Sequence, residues 1–426
     1  MRLDARFHEA HNALAFAQRR RGDFERAVTS CRRALDLRTD YAAAWHNLGL
    51  TLLDLGRTDE AIEALLKGSA CSPSIAQLHV LLVRLLRDAG RMEEAERAAI
   101  AARSHHPHDR DLMTHVVELA SEHRKAKRPE RSEELLRALL ADWPETPEIH
   151  VNLANSLSDQ QRIEEAVDAC RAALTIDPSH PEARSKLVAY LRDTGRYDES
   201  LAVGCAAVAA DEQFIEARVN LALTQLTLGL MPEGWHNYEA RLKAVNYRFP
   251  LADLGEAAAI ERYWSGRELT AADEHGGVLL VFAEQGLGDT LQFLRFLPAA
   301  RTRARRLVFA VQKALIPLLR SQLEYHPSAD AAAIALGFDE LTPHLETWPA
   351  HDAFVSLMSL PHIFNTTLDS FTDTGPQVRP TQDRLDHWRR WFDEHHPRVS
   401  SDVRRIGIAW QGNRAYARDP QRSIPL

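Results

Sequence analysis

Two glycines and an aspartate, Gly286, Gly288 and Asp289, form the short stretch of this chain whose residue types could most directly do chemistry. They follow an apolar run and precede an apolar pattern of helical period that begins near Thr290. The glycines would let the backbone approach a ligand, and the first N–H groups of the helix would face an anion. Asp289 would then accept a proton from a hydroxyl group. The same spacing also fits a plain turn in which Asp289 is the helix N-cap.

The elements around this loop alternate between strand and helix patterns. Strands are predicted at GGVLLVFAE (276–284), RLVFAV (306–311) and AFVSLMSLP (353–361), and helices at TLQFLRFLPAA (290–300) and KALIPLLRSQL (313–323). Such alternation indicates a parallel sheet covered on both faces. Ligands of open α/β sheets bind outside the carboxyl ends of the strands, and the glycine–aspartate loop follows such an end.

A repeat of 34 residues occupies the chain before this sheet. Gly22, Gly56 and Gly90 are 34 residues apart, and so are Gly195 and Gly229. A fixed period of this length predicts stacked pairs of helices. The glycines fit the tight turn within each pair, where a positive φ is least costly for glycine.

The sequence of residues 42–73 resembles the tetratricopeptide repeat. The residues at the motif positions are Trp45, Leu48, Gly49, Leu52, Ala61, Leu65 and Pro73. Seven units are predicted over roughly residues 8–245. The fourth is irregular, because Pro107 and Pro144 are 37 residues apart rather than 34.

A solenoid of this kind offers a groove that commonly binds an extended peptide. Asn47, Asn152 and Asn220 share the sixth position of their repeats. In the similar arrays of the nucleocytoplasmic O-linked N-acetylglucosamine transferases, asparagines at that position hold the peptide backbone. An amide can both donate and accept there. The alternative is that asparagine is simply common in this motif.

The stretches EQGLGDTLQFLRFLP, LMSLP and RIGIAWQGNRAYARDPQRSIPL follow the array in that order. Together with the array they resemble bacterial repeat-linked glycosyltransferases related to the lipopolysaccharide heptosyltransferases. The resemblance implies a GT-B fold of two Rossmann-like halves that transfers a sugar from a nucleotide-sugar, which is a substrate rather than a cofactor. It gives the role of catalytic base to Asp289 and the shaping of its loop to Gly286 and Gly288.

By the same resemblance, Gln411, Asn413, Arg422 and Ser423 face the diphosphate of the donor. An arginine can hold a diphosphate in bidentate fashion, although Arg422 is equally compatible with an ordinary surface charge. Residues 404–426 supply only the start of the second half, so the chain ending at Leu426 is expected to be inactive.

Composition limits the partners. The net charge is −8, which indicates no nucleic-acid partner, and no apolar run is long enough to span a membrane. The charged start is not a secretory signal, which favours a cytoplasmic protein. Neither the scattered cysteines nor the clustered histidines predict a metal site; the histidine groups are Cys-free loops at His105, His106, His108, His395 and His396.

The resulting fold class is α + α/β, a solenoid followed by a Rossmann-like domain. The predicted domains are an array (6–245), a connector (246–275), the first GT-B half (276–382), a linking helix (383–403) and the start of the second half (404–426). The main functional hypothesis is a glycosyltransferase whose acceptor is recruited by the repeats. The alternative is a non-catalytic scaffold that binds a protein or peptide in the repeat groove.

Overall fold

The computed structural model describes residues 7–244, 261–322, 325, 326, 328, 335–344, 348–370, 378 and 381–395 of the chain. The chain divides into two compact units, Met1–Tyr247 and Arg248–Leu426. The first unit is helical and the second contains a parallel sheet. The finer domain divisions at 246–275, 383–403 and 404–426 stay predictions.

Residues 7–244 contain seven pairs of α-helices followed by a short 3₁₀ helix, Glu239–Lys243, and this confirms the predicted helical solenoid. The helices are α1 (Phe7–Arg20), α2 (Phe24–Leu37), α3 (Ala42–Asp54), α4 (Thr58–Cys71), α5 (Ala76–Asp88), α6 (Met92–His105), α7 (Arg110–Lys125), α8 (Pro129–Asp142), α9 (Pro147–Asp159), α10 (Ile163–Ile176), α11 (Pro181–Asp193), α12 (Tyr197–Ala210), α13 (Ile215–Thr227) and α14 (Met231–Tyr238).

Small residues let the two helices of a pair approach closely. A Cβ atom at Gly49 of α3 would lie 2.9 Å from the side chain of Leu65 in α4. A Cβ atom at Gly68 of α4 would lie 2.7 Å from Cβ of Trp45 in α3. Real Cβ atoms do not make contacts this short, so the pairing of α3 with α4 depends on both glycines.

The turn within each pair uses a left-handed residue, as the spacing of the glycines predicted. Gly56 and Gly90 have φ values of 73° and 72°. Two turns depart from the pattern, because Lys127 (φ 58°) and Gln161 (φ 64°) occupy the left-handed position without being glycine. The backbone bonds around the turn are nonetheless kept, since the backbone N–H of Lys127 donates to the carbonyl of Arg124 at 2.8 Å.

The fourth repeat is irregular, as predicted, because its first helix is longer. Helix α7 has 16 residues, whereas α5 and α9 have 13. The additional turn carries the buried His123 and ends at Lys125. A surface cavity of about 690 Å³ lies between the ends of α5 and α7, where Arg87 and Glu118 form an ion pair.

An arginine precedes the second helix of five repeats and links it to its neighbour, a feature that the sequence analysis missed. Arg162 contacts Glu165 three residues later and Glu133 of the preceding repeat, both at 2.6 Å. The arginines in this ladder are Arg57, Arg91, Arg128, Arg162 and Arg196. Each pair is exposed and therefore weak alone, so the ladder acts mainly to align successive repeats.

The first helices of the pairs lie on the inner side of the array. Helices α5 and α7 contact each other, as do α7 and α9, α9 and α11, and α11 and α13. Within residues 7–244, successive second helices make only sparse contacts. The side with the closer spacing is the concave one, so the exposed positions of the first helices line the groove.

The second unit contains a four-stranded parallel sheet with the order β3-β2-β1-β4. The strands are β1 (Val278–Phe282), β2 (Arg306–Val311), β3 (Glu340–Pro343) and β4 (Ala353–Ser356). Every residue of β1 is buried, as expected for a central strand with both faces covered. Three of the four strands were predicted from apolar runs, whereas β3 was missed because it is short and half polar.

The helices described in this unit surround the sheet elements in chain order. They are α15 (Leu287–Phe293), α16 (Leu297–Arg301), α17 (Ile316–Gln322), α18 (Leu360–Ile363) and α19 (Gln382–His395), with 3₁₀ turns at Leu294–Phe296, Lys313–Leu315 and Leu357–Ser359. Leu280, Phe282, Ala310 and Phe354 form a buried cluster on the sheet. The parallel α/β character is therefore confirmed, while the assignment to a Rossmann-like GT-B half stays a prediction.

Candidate functional site

The three predicted groove asparagines lie on first helices, and two of them reach the preceding first helix. Asn47 donates from Nδ2 to Oδ1 of Asn12 at 2.8 Å, and Asn220 donates to Oγ of Ser185 at 2.9 Å. Asn152 donates to a carbonyl in its own helix at 2.8 Å. Within residues 7–244 no donor contacts their side-chain oxygens, so each amide keeps an acceptor for a ligand on the inner face.

A row of carboxylates lies four residues before these positions. Glu148 and Glu216 precede Asn152 and Asn220 by four residues and therefore share their helix face. The exposed members of the row are Asp111, Glu148, Glu182 and Glu216. None of these four forms an ion pair with another residue in the described part of the array. The inner face thus carries negative charge at one register along four successive repeats, a feature that sequence reasoning missed although the 34-residue spacing reveals it.

The glycine–aspartate loop lies where the sheet changes direction. It follows β1, whose neighbours β2 and β4 lie on opposite sides of it. Connections from β1 to β2 and from β3 to β4 therefore run in opposite directions across the sheet. This is the topological switch point at which open α/β sheets bind ligands, outside the carboxyl ends of the strands.

Asp289 is exposed in the first turn of α15, which begins at Leu287 rather than near Thr290. Gly286 holds the N-cap position, so the alternative that made Asp289 the N-cap is wrong. Neither Gly286 nor Gly288 has a positive φ. A Cβ atom at Gly288 would meet nothing within 4 Å, and one at Gly286 would meet only Asp289, at 3.4 Å. Among the described residues, neither backbone conformation nor packing therefore requires these glycines.

A glutamine from the next strand holds this loop. Gln312, directly after β2, donates from Nε2 to the carbonyl oxygen of Gln285 at 2.7 Å and contacts Oγ1 of Thr290 at 3.0 Å. Thr290 is 1% exposed, and its hydroxyl also donates to the carbonyl of Gly286 at 3.1 Å. The polar residues that follow two neighbouring strands thus fix the loop that presents Asp289.

A histidine and a glutamate also lie at this edge of the sheet. His344 follows β3, and its ring centroid is 6.3 Å from that of Phe282, the last residue of β1. Burial lowers the pKa of His344, while the negative charge of Glu284 acts in the opposite direction. Its buried Nε2 has no hydrogen-bond partner in the described structure. Sequence reasoning did not find His344, because the strand that carries it was missed.

The remaining predicted site residues do not join this edge. Gln411, Asn413, Arg422 and Ser423 lie outside the described residues. Within the array, His79, His105 and His106 have ring centroids 5.6–6.4 Å apart. The described residues contain no group of side chains that could hold a metal ion, and no helix among them is long and apolar enough to cross a membrane.

Comparison with known proteins defines the class of the helical unit. The tetratricopeptide repeat family matches residues 7–72 and 117–181, both within this unit. Together with the seven helix pairs, these matches identify the unit as an array of tetratricopeptide repeats, the class of protein–protein interaction fold that the 34-residue period predicted. The glycosyltransferase part of the resemblance stays a prediction.

Particular relatives are distant. Protein FlbA of Caulobacter vibrioides is 24% identical over 209 residues, which cover 47% of this chain and 32% of that protein. This chain therefore spans about a third of its curated relative. The solved structure of PilF from Pseudomonas aeruginosa has 17% identity and a TM-score of 0.33, covering 50% of this chain and 95% of that one. MamA of Desulfovibrio magneticus RS-1 has 14% identity and a TM-score of 0.33, covering 40% and 95%.

Proposed function

We propose that this chain is a protein-binding scaffold whose repeat array holds an extended segment of a partner along its inner face. The observation that carries the proposal is the recurrence of exposed Glu148, Glu182 and Glu216 every 34 residues on successive first helices, without ion pairs in the described array. Asn152 and Asn220 share that face and supply amide groups for a peptide backbone.

The geometry of the row favours a partner with regularly spaced basic side chains. Packed helices are about 8–10 Å apart, and an extended chain rises about 3.3 Å per residue. Successive carboxylates therefore lie roughly three peptide residues apart. A partner with Lys or Arg at about every third position would place one cation at each first helix from α7 to α13.

The test uses a fluorescent twelve-residue peptide with Lys at every third position and Ser or Thr between. A triple variant, Glu148→Gln, Glu182→Gln and Glu216→Gln, is expected to weaken binding about tenfold, because three exposed pairs are lost. The matched control removes three exposed carboxylates elsewhere, by Glu63→Gln, Asp168→Asn and Glu212→Gln. An equal effect of the two triple variants on affinity would show that only net charge matters and would remove the groove from the proposal.

A second candidate function is sugar transfer from a nucleotide-sugar to a hydroxyl acceptor. It is favoured by the position of the Asp289 loop at the switch point of a parallel sheet, and by glycines at 286 and 288 that the described fold does not require. In this mechanism Asp289 accepts the proton of the acceptor hydroxyl, and the open loop lets the donor approach the backbone. Gln411, Asn413, Arg422 and Ser423 are proposed to hold the diphosphate.

The test of this candidate measures release of nucleoside diphosphate from a panel of nucleotide-sugars by the full-length protein. Asp289→Asn is expected to lower turnover about 10²–10⁴-fold, the usual contribution of a general base, with donor affinity nearly unchanged. Gly288→Ala is expected to keep the fold while weakening donor binding. Wild-type turnover in Asp289→Asn would eliminate the aspartate as catalyst. The chain that ends at Leu426 is expected to bind no nucleotide-sugar tightly.

A further inference from the structure

The first helix of the array carries an exposed apolar face that its successors bury. Phe7 and Leu14 of α1 are 50% and 48% exposed, and Ala10 and Ala17 are exposed beside them. At about 100° per residue, these four side chains lie within one stripe of the helix. We name this stripe, formed by Phe7, Ala10, Leu14 and Ala17, the α1 stripe.

The equivalent positions one repeat later show what such a stripe contacts. Ala44, Leu48 and Thr51 of α3 lie 34 residues after Ala10, Leu14 and Ala17. Their exposed fractions are 0%, 5% and 0%, because α3 packs against the helices of the preceding repeat. The α1 stripe therefore continues an established helix–helix interface of this molecule. Terminal repeats of solenoids usually present a polar outer face instead.

We propose that the α1 stripe is covered by the α1 stripe of a second copy of this chain, in a two-fold antiparallel contact. The order of large and small side chains is self-complementary. When two α1 helices run antiparallel about residue 12, Phe7 lies opposite the second copy's position 17 and Leu14 lies opposite its position 10. Each large side chain thus meets an alanine, which is how facing helix surfaces interdigitate at native density.

The pairing satisfies the rule for a closed dimer. In a two-fold interface, residue i contacts residue j and j contacts i, and the pairs 7 with 17 and 10 with 14 obey it in both directions. One helix face is small compared with the roughly 800 Å² per partner of a standard interface. The dimer is therefore expected to form reversibly, with its fraction rising over about 1–100 µM.

Sedimentation velocity of the full chain over this concentration range tests the proposal with two matched variants. Leu14→Glu places a charge in the stripe and is expected to give a monomer at every concentration. Phe16→Glu places the same charge about 200° around the same helix, at a residue that is 52% exposed, and is expected to dimerise like the wild type. A wild type that stays monomeric at 100 µM, or equal effects of the two variants, would overturn the proposal.

A cross-linking experiment tests the register. In a background with the exposed cysteines replaced, Cys71→Ser and Cys205→Ser, one preparation carries Ala10→Cys and the other Leu14→Cys. Mixing and mild oxidation are expected to give a disulfide-linked dimer of the two variants, whereas Phe16→Cys mixed with Ala10→Cys should give none. If Leu14→Glu instead lowers the melting temperature without changing the mass, the stripe is covered by the chain itself and the dimer is excluded.

Discussion

The side-chain amide of Gln312 donates to the carbonyl oxygen of Gln285 across 2.7 Å, although the two residues are 27 positions apart. The bond joins the loop after β2 to the loop after β1. Because Gln312 also contacts Thr290, a single side chain restrains both ends of the segment that contains Gly286, Gly288 and Asp289. The presentation of Asp289 therefore depends on a residue of another strand.

Replacing this glutamine should release the loop without unfolding the sheet. Gln312→Ala removes both contacts, and Gln312→Glu keeps the shape but cannot donate to the carbonyl. In both variants, hydrogen–deuterium exchange of a peptide covering residues 283–290 should rise about tenfold or more, as expected when a bond worth about 1 kcal/mol is lost together with the order it imposes. Unchanged exchange in both variants would mean that the loop is held by other contacts.

The turns of the array allow a reciprocal exchange of residues. The turns Ala89-Gly90-Arg91 and Ala126-Lys127-Arg128 have the same backbone conformation and flanking residues, but only one has glycine at the left-handed position. Since a left-handed conformation costs a non-glycine residue roughly 1 kcal/mol or more, Lys127→Gly should stabilise the array by about that amount. Gly90→Lys should destabilise it similarly. Chemical denaturation measures both, and effects of the same sign would contradict the explanation.

Gly337 should be indispensable to the sheet unit. Its φ is 81°, and a Cβ atom there would lie 2.2 Å from the backbone of Leu297 and Pro298. Gly337→Ala is therefore expected to cost more than about 3 kcal/mol, since backbone must move as well as side chains. Gly276 also has a positive φ, 77°, but a Cβ atom there meets nothing within 4 Å. Gly276→Ala should cost only about 1 kcal/mol. Thermal unfolding that ranks the two variants in reverse would refute the steric account.

Acid should weaken the fourth repeat through His123, which is 1% exposed. Burial is the main cause that lowers the pKa of His123; Arg128 and Arg131 act in the same direction, and Glu96 and Glu93 oppose them. Because the folded pKa lies below the ordinary value of about 6.5, this contribution to stability is full above that pH and is lost as the pH falls towards the folded pKa.

Replacement of His123 should therefore reduce the acid sensitivity of the array. Between about pH 7.5 and 5, the urea midpoint of His123→Leu should fall less than that of the wild type, because no buried imidazole has to be protonated. His108→Gln changes an exposed histidine and serves as the control. Parallel pH profiles for wild type and His123→Leu would exclude the buried ring as the source.

The array should fold as an independent unit. Its helices contact their neighbours in sequence, and their buried residues lie within residues 7–244. A fragment covering residues 6–245 should give a predominantly helical circular dichroism spectrum and a cooperative melting transition. A disordered spectrum would contradict this expectation.

Local patterns in the sequence were sufficient for the elements that local physics determines. The 34-residue glycine period predicted the helix pairs, because a left-handed turn followed by an amphipathic helix depends on neighbouring residues. Apolar runs at β1, β2 and β4 predicted buried strands for the same reason. At β3 the pattern failed, because an edge strand of four residues that ends in proline carries almost no periodic signal.

Only the tertiary structure decided which side chains meet. The Gln312 bond, the arginine ladder and the position of His344 join residues from different elements, and no single segment encodes such contacts. Lys127 and Gln161 adopt left-handed turns against their own preference, because the packing of the flanking helices determines the backbone between them. Likewise, Ala10, Leu14 and Ala17 have the pattern of a buried face, and their exposure follows from the position of α1 at the end of the stack.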